Sequence, residues 1–271
     1  MSAAGQRPPR RRAGEISFGT RRRIFLVAAA GLGALLVWGL AGLPDFGDYH
    51  GVYGLTLNRV AVSERHATDL VTAINFDYRA FDTLGEEFIL FAAVLGVALL
   101  LREGRDEEVG PPDDDAPGRR VPETSAAVRV TTLALVGPIV LLSIYITAHG
   151  QLTPGGGFQG GVIAATALLL VFLGGEYATL ARVRPLPLVE VAKAAGAAGF
   201  VLLGLAGLIA SGSFLENFLP LGTTGELLSA GTIPLLSVAV GLEVTGGIVL
   251  LLSEFLDQTL VIRRRRGGAA E

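Results

Sequence analysis

The chain alternates long stretches that carry no charge with short stretches that carry nearly all of it. The first uninterrupted run, 24–43, reads IFLVAAAGLGALLVWGLAGL and contains no ionisable residue. A hydrocarbon core of about 30 Å is crossed by about 20 helical residues, so this run fits a membrane span, with Trp38 near its far end as an interface anchor. Its length and the lack of a small-residue cleavage site predict a retained helix, although an arginine-rich start precedes it as in a signal peptide. Five more runs fit the same template, at about 83–101, 126–148, 160–180, 188–210 and 233–252. Their apolar residues are continuous and do not alternate, which predicts helices and not barrel strands. The expected fold is an all-α integral membrane protein with about six transmembrane helices.

Composition supports this pattern. Of 271 residues 51% are hydrophobic and 17% charged, and the mean hydropathy is +0.54, too apolar for an ordinary soluble domain. There is no cysteine, so disulfides, iron–sulfur ligation, zinc–thiolate sites and thiol catalysis within this chain are excluded. His50, His66 and His149 are too scattered for a local metal motif, and neither metal nor cofactor is expected. No serine, histidine and acid combination suggests a hydrolase, and no basic aromatic groove suggests nucleic acid.

Charge sets the orientation. With the N terminus inside, 19 of the 22 lysines and arginines fall on the inner side, and only Arg59, Arg65 and Arg79 fall outside. Both termini are therefore expected to be cytoplasmic. The resulting organisation is a basic N-terminal tail (1–23), a two-span module (24–101), a Pro- and Asp-rich solvated linker (102–125), a four-span module (126–262) and a basic C-terminal tail (263–271).

The stretch TPGGGFQGG, 153–161, contains a literal G-x-G-x-x-G at Gly155, Gly157 and Gly160. A dinucleotide fingerprint follows a strand. This one follows an apolar span, falls at the external end of the third and fourth helices, and lacks the Lys-Ser/Thr of a P-loop. The residues Pro154, Gly155, Gly156, Gly157, Gly160 and Gly161 instead predict a tight or partly re-entrant turn, buried in protein, that exploits positive φ and close helix approach.

Ionisable groups inside the membrane are costly and ask for a partner or a function. Glu243 lies near the middle of the sixth span, flanked by Gly241, Gly246 and Gly247, and suits reversible protonation or cation contact; a neutral structural glutamate is the alternative. Lys193 lies about a turn and a half into the fifth helix, with Glu190 on the same face and Glu176 expected at the same depth from the fourth. A proton relay and a snorkelling ion pair are both open there. Glu86 and Glu87 open the second span, one of them facing a partner and the other headgroup water. Before them, INFDYRAFD predicts an interfacial helix in which Asp77 or Asp82 pairs with Arg79. His149, at the outer end of the third helix, titrates near neutrality, as a proton shuttle or a simple cap. Glu226, in the loop before the sixth span, is placed to cap a helix start.

Two long segments are recognisable. HGQLTPGGGFQGGVIAA (149–165) resembles the signature of the MnhB-type membrane protein of the multisubunit Mrp (Mnh) sodium–proton antiporters and its counterpart in membrane-bound hydrogenases. GELLSAGTIPLLSVAVGLEVTGG (225–247) resembles the second signature of that family. The family often has a histidine at the position of Gln151. AINFDYRAFDTLGEEFILFAAVLGVALLL (73–101) is similar to the C-terminal tail of the large MnhA-type antiporter protein and to a small hydrogenase membrane subunit. The chain thus resembles an MnhA-type tail fused to an MnhB-type protein. The resemblance favours Glu86, which matches the DTLGE pattern, and raises Glu226 above an ordinary loop acid. It implies a multi-pass component of a bacterial or archaeal cell membrane, exchanging Na⁺ for protons only with other antiporter subunits, including the large ones. Membership of a redox-driven complex and a non-conducting scaffold remain as alternatives.

Overall fold

In the computed structural model the described residues are 18–43, 45, 47, 50–101, 124–183 and 186–267, the side chains of 18, 176–178, 181–183 and 257–267 excepted. Linker residues 102–123 and the ends of both tails lie outside them. All regular elements among the described residues are helices, and six of these are long and apolar enough to cross a membrane.

Residues up to 52 form one unit and the remainder another. The first contains α1 (Phe18–Ala41), whose apolar side chains are exposed along its length, including Trp38. That surface suits hydrocarbon and not water.

The second unit takes in all but the first residue of α2 (Val52–Arg65), a helix the hydrophobic pattern did not announce. It continues through α3 (Leu70–Ala73), a π-helical segment (Ile74–Tyr78) and α4 (Ala80–Leu101). Asp69 caps α3, its carboxylate accepting from the Thr72 N–H at 2.9 Å. After the linker come α5 (Ala126–Ala148), α6 (Gly157–Val183), α7 (Leu186–Ser211) and α8 (Ile233–Gly267). Each observed span contains its expected counterpart or agrees with it to within a turn.

Helix α8 is the axis of this unit. It packs against α4, α5, α6 and α7, and its spanning segment, Ile233–Leu256, is the most buried of the six. Small residues permit this: a Cβ on Gly157 would overlap the Ser237 carbonyl oxygen, and one on Gly161 would lie 2.7 Å from Val244 Cβ. Helices approach this closely only where side chains are absent. Hydroxyls then bridge neighbouring helices, Ser237 donating to the Thr147 carbonyl at 3.0 Å and Ser143 to the Gly160 carbonyl at 2.8 Å.

The glycine stretch opens as a short turn in which Thr153 and Pro154 are exposed, while Gly156, Gly157, Gly160 and Gly161 are buried, so the expected fully buried turn is corrected. Helix α6 begins at Gly157 and not near 160, so Gly157, Gly160 and Gly161 act through close packing. Of the run from Gly155 to Gly157 only Gly156 takes a positive φ, +114°. The turn closes one end of the bundle: Gln151 accepts through its carbonyl from the N–H groups of Thr68 and Asp69, and its side-chain amide donates to the Leu227 carbonyl at 2.7 Å.

Candidate functional site

Three ionisable side chains meet inside the bundle. Glu87 on α4, Lys193 on α7 and Glu243 on α8 are 3%, 8% and 0% exposed, a degree of burial that ionisable groups rarely reach without partners.

Helix packing sets this meeting point. Glu87, Leu90, Phe91 and Val94 follow the i, i+3, i+4, i+7 spacing of one helical face. That face lies on α8, where a Cβ on Gly247 would be 3.2 Å from Val94. On the α7 side, a Cβ on Gly196 would be 2.5 Å from both the Ala239 carbonyl oxygen and the Glu243 amide, and one on Gly246 would be 2.8 Å from Lys193 Cβ. These two glycines press α7 and α8 together and bring Lys193 and Glu243 onto one seam.

The polar accounting of this seam is incomplete. Oε2 of Glu87 and both carboxylate oxygens of Glu243 are buried without a hydrogen bond from a protein donor. The Glu87 and Glu243 carboxyls face each other, and Lys193 acts on Glu243 electrostatically. Lys193 nevertheless makes no ion pair within 4 Å among the described residues. Its ammonium lies over the Phe91 ring, 4.5 Å from the centroid, a cation–π arrangement. Two ionised carboxylates cannot bond each other, so the pair requires a proton, a cation or water between them.

The structure places the other expected residues differently or leaves them undescribed. Glu86, which the resemblance favours, is exposed on α4, and the adjacent Glu87 is the residue turned inward. Glu190 is exposed and does not share the buried environment of Lys193. Glu176 lies on α6, with its side chain outside the described residues. Glu226 is exposed in a turn several residues before α8, where it does not cap that helix.

His149 has the capping geometry. Its Nδ1–H donates to the Tyr145 carbonyl at 2.9 Å, and its ring stacks on Tyr145 with centroids 4.1 Å apart. The carbonyl can only accept, so the proton sits on Nδ1.

A second polar cluster holds the end of the bundle. Asp77, on the π segment, does not pair with Arg79: its Oδ1 accepts from Arg65 Nε at 2.7 Å and its Oδ2 from Asn217 Nδ2 at 2.9 Å. Asp82 is the partner of Arg79, in an exposed ion pair. Asn217 also accepts from the Thr232 N–H at 2.8 Å, tying Asp77 to the start of α8. Tyr78 donates to Glu64 at 2.7 Å, and burial together with that bond pushes its phenol up to about 12, so it remains a donor at neutral and moderately alkaline pH. Arg65, Asp77, Tyr78 and Asn217 line a cavity of about 330 Å³, which Phe214 and Glu216 complete.

Asp77→Ala leaves the Arg65 and Asn217 donors unanswered and is expected to cost about 2 kcal/mol. The protein should unfold at a lower temperature in detergent, with Asp77→Asn intermediate; an unchanged midpoint for Asp77→Ala would contradict a clamp at this position.

Comparison with known proteins agrees with this architecture. Residues 127–250 match the family described as a domain related to the MnhB subunit of Na⁺/H⁺ antiporters. An uncharacterized protein of Methanocaldococcus jannaschii is 33% identical over 207 residues, covering 71% of this chain and 78% of that protein. Among solved structures, a chain of the membrane-bound sulfane sulfur reductase, an archaeal respiratory membrane complex, is 31% identical with a TM-score of 0.67, covering 87% of this chain and 98% of that one. A chain of the Mrp complex from Dietzia sp. DQ12-45-1b is 29% identical with a TM-score of 0.65. The match takes in 89% of this chain but only 26% of that longer one. With six candidate spans among the described residues and similar chains found in two multisubunit membrane complexes, this chain carries over residues 127–250 a membrane domain related to the MnhB subunit.

Proposed function

We propose that this chain is a component of an Mrp-type multisubunit monovalent cation/proton antiporter, contributing to the ion or proton pathway and to assembly. The observation that carries the reading is the Glu87–Glu243 pair, two carboxylates at membrane depth with three oxygens that no protein donor answers. A scaffold has no need of such a pair, because apolar residues of similar volume pack as well or better. Glu243 lies ten residues into α8, about 15 Å along a helix that rises about 1.5 Å per residue, near the bilayer midplane.

The match to the Mrp chain reaches well beyond 127–250, which supports the reading of 24–101 as a fused segment resembling the MnhA-type tail. The distribution of arginines supports cytoplasmic termini in a bacterial or archaeal cell membrane. In that orientation the complex would exchange internal Na⁺, with K⁺ or Li⁺ as alternatives, for external protons, together with the large antiporter-like subunits.

A specific observation favours a second reading. The chain spans 98% of its counterpart in the archaeal respiratory complex, so membership of a redox-driven ion pump is the rival. Proteoliposomes containing the purified complex separate the two. In the antiporter reading an imposed Na⁺ gradient changes internal pH without any electron donor. Ion movement that requires a donor and an acceptor would establish the rival instead.

A further inference from the structure

We infer that Glu87 and Glu243 form one binding site for a single monovalent cation, and that Lys193 is its built-in competitor, held off the site by the Phe91 ring. This rests on the ion-pathway reading above and assigns that pathway's ligand and the device that controls access to it.

Charge argues for the ligand class. The groups that face the seam from α4, α7 and α8 are two carboxylates and one ammonium. With all three ionised, one negative charge is left in a low-dielectric site, and such a charge is strongly disfavoured unless paired. One proton or one alkali ion neutralises it, whereas a divalent ion leaves an excess positive charge. Glu86 and Glu190 are exposed and lie outside the buried seam, Glu86 adding a weaker repulsion on Glu87 from its neighbouring position.

Geometry argues for the competition. A buried lysine beside two orphan carboxylates would ordinarily bond one of them. Here the ammonium rests on Phe91, and three of the four carboxylate oxygens receive no bond from it, the two carboxyls facing only each other. Phe91 also lines an apolar groove of about 420 Å³ between α4 and α7, together with Phe88, Ala194 and Ala197. Its ring therefore borders that groove and gives the ammonium an alternative to the carboxylates. Movement of Nζ from the ring to Glu243 places its own positive charge where the cation was bound, so that arrival of one favours departure of the other.

The test is Na⁺ dependence of exchange by the purified complex in proteoliposomes. Phe91→Leu removes the resting place and should raise the apparent KM for Na⁺ about tenfold, the order expected for a desolvated cation–π contact, with the maximum rate retained. Phe91→Tyr keeps the ring and should behave as wild type. In a Lys193→Met background, Phe91→Leu should have no effect on KM, because the competitor is gone. An unchanged KM in correctly assembled Phe91→Leu, or a raised KM that persists without Lys193, would overturn the inference. A wild-type complex that moves none of Na⁺, K⁺ or Li⁺ against protons would overturn the antiporter reading alone. Binding of radioactive Na⁺, or of radioactive Rb⁺ in place of K⁺, to the purified complex then decides this inference with the same variants, and wild-type complex that binds neither in competition with protons would reject it.

Discussion

Glu243→Gln should abolish coupled cation/proton exchange while leaving the complex assembled. Glutamine has almost the same shape, so the contacts of this fully buried side chain with α7 and α4 survive. It also removes one of two facing carboxylates, so stability should not fall through charge. What it cannot do is ionise, take up a proton or offer two anionic oxygens to a cation. Groups that transfer protons typically contribute on the order of a hundredfold or more to the steps they serve, and exchange in proteoliposomes is expected to drop by about that factor. Glu243→Asp, which keeps the charge on a shorter stem, should restore part of it. Assembly is monitored separately by recovery of the partner chains with the tagged protein. Normal coupled exchange by an assembled Glu243→Gln complex would rule out a transport role for the pair.

The two halves of this pair differ in how far the chain alone reveals them. The spans were legible because a bilayer imposes length and continuous apolarity on each helix by itself. Glu243 and Lys193 were legible for a similar reason, each being an ionisable residue within an apolar run. Glu87 was not. Adjacent residues on a helix point about 100° apart, and whether Glu86 or Glu87 faces inward depends on how α4 is rotated. That rotation is set by contacts distant in sequence, Val94 and Leu90 against Gly247, and by the π segment that feeds α4. Asp77 illustrates the same limit. Arg79 was its nearest basic neighbour in the chain, yet the fold supplies Arg65 and Asn217, 12 and 140 residues away. Helix α2 escaped because VYGLTLNRVAVSER has neither the unbroken apolarity of a span nor a sharp amphipathic stripe.

Gly157→Ala should be the most damaging single-methyl change in the glycine turn. Its added carbon would overlap the Ser237 carbonyl oxygen and lie 2.7 Å from the Gly241 amide. Both are backbone atoms of α8 and cannot rotate away as a side chain would. The start of α6 would have to retreat from the helix around which the unit is packed, breaking the α6–α8 seam over several residues. Overpacking typically costs about 1–3 kcal/mol, and a helix-on-helix backbone clash belongs at the upper end. Loss of most of the assembled complex and a clearly lower unfolding midpoint in detergent are therefore expected. Two controls separate packing from a general intolerance of substitution. Gly85→Ala, where nothing lies within 4 Å of the new carbon, should assemble as wild type. Gly156→Ala meets its nearest neighbour at 3.5 Å but has a φ of +114°, so its cost should be backbone strain of about 1–3 kcal/mol without a clash. If Gly157→Ala assembled as well as Gly85→Ala, close approach of α6 to α8 could not be the reason for glycine at this position. The expected ranking, with Gly157 worst, Gly156 intermediate and Gly85 neutral, ties the TPGGGFQGG stretch to helix packing in the membrane, a requirement that a phosphate cradle would not impose.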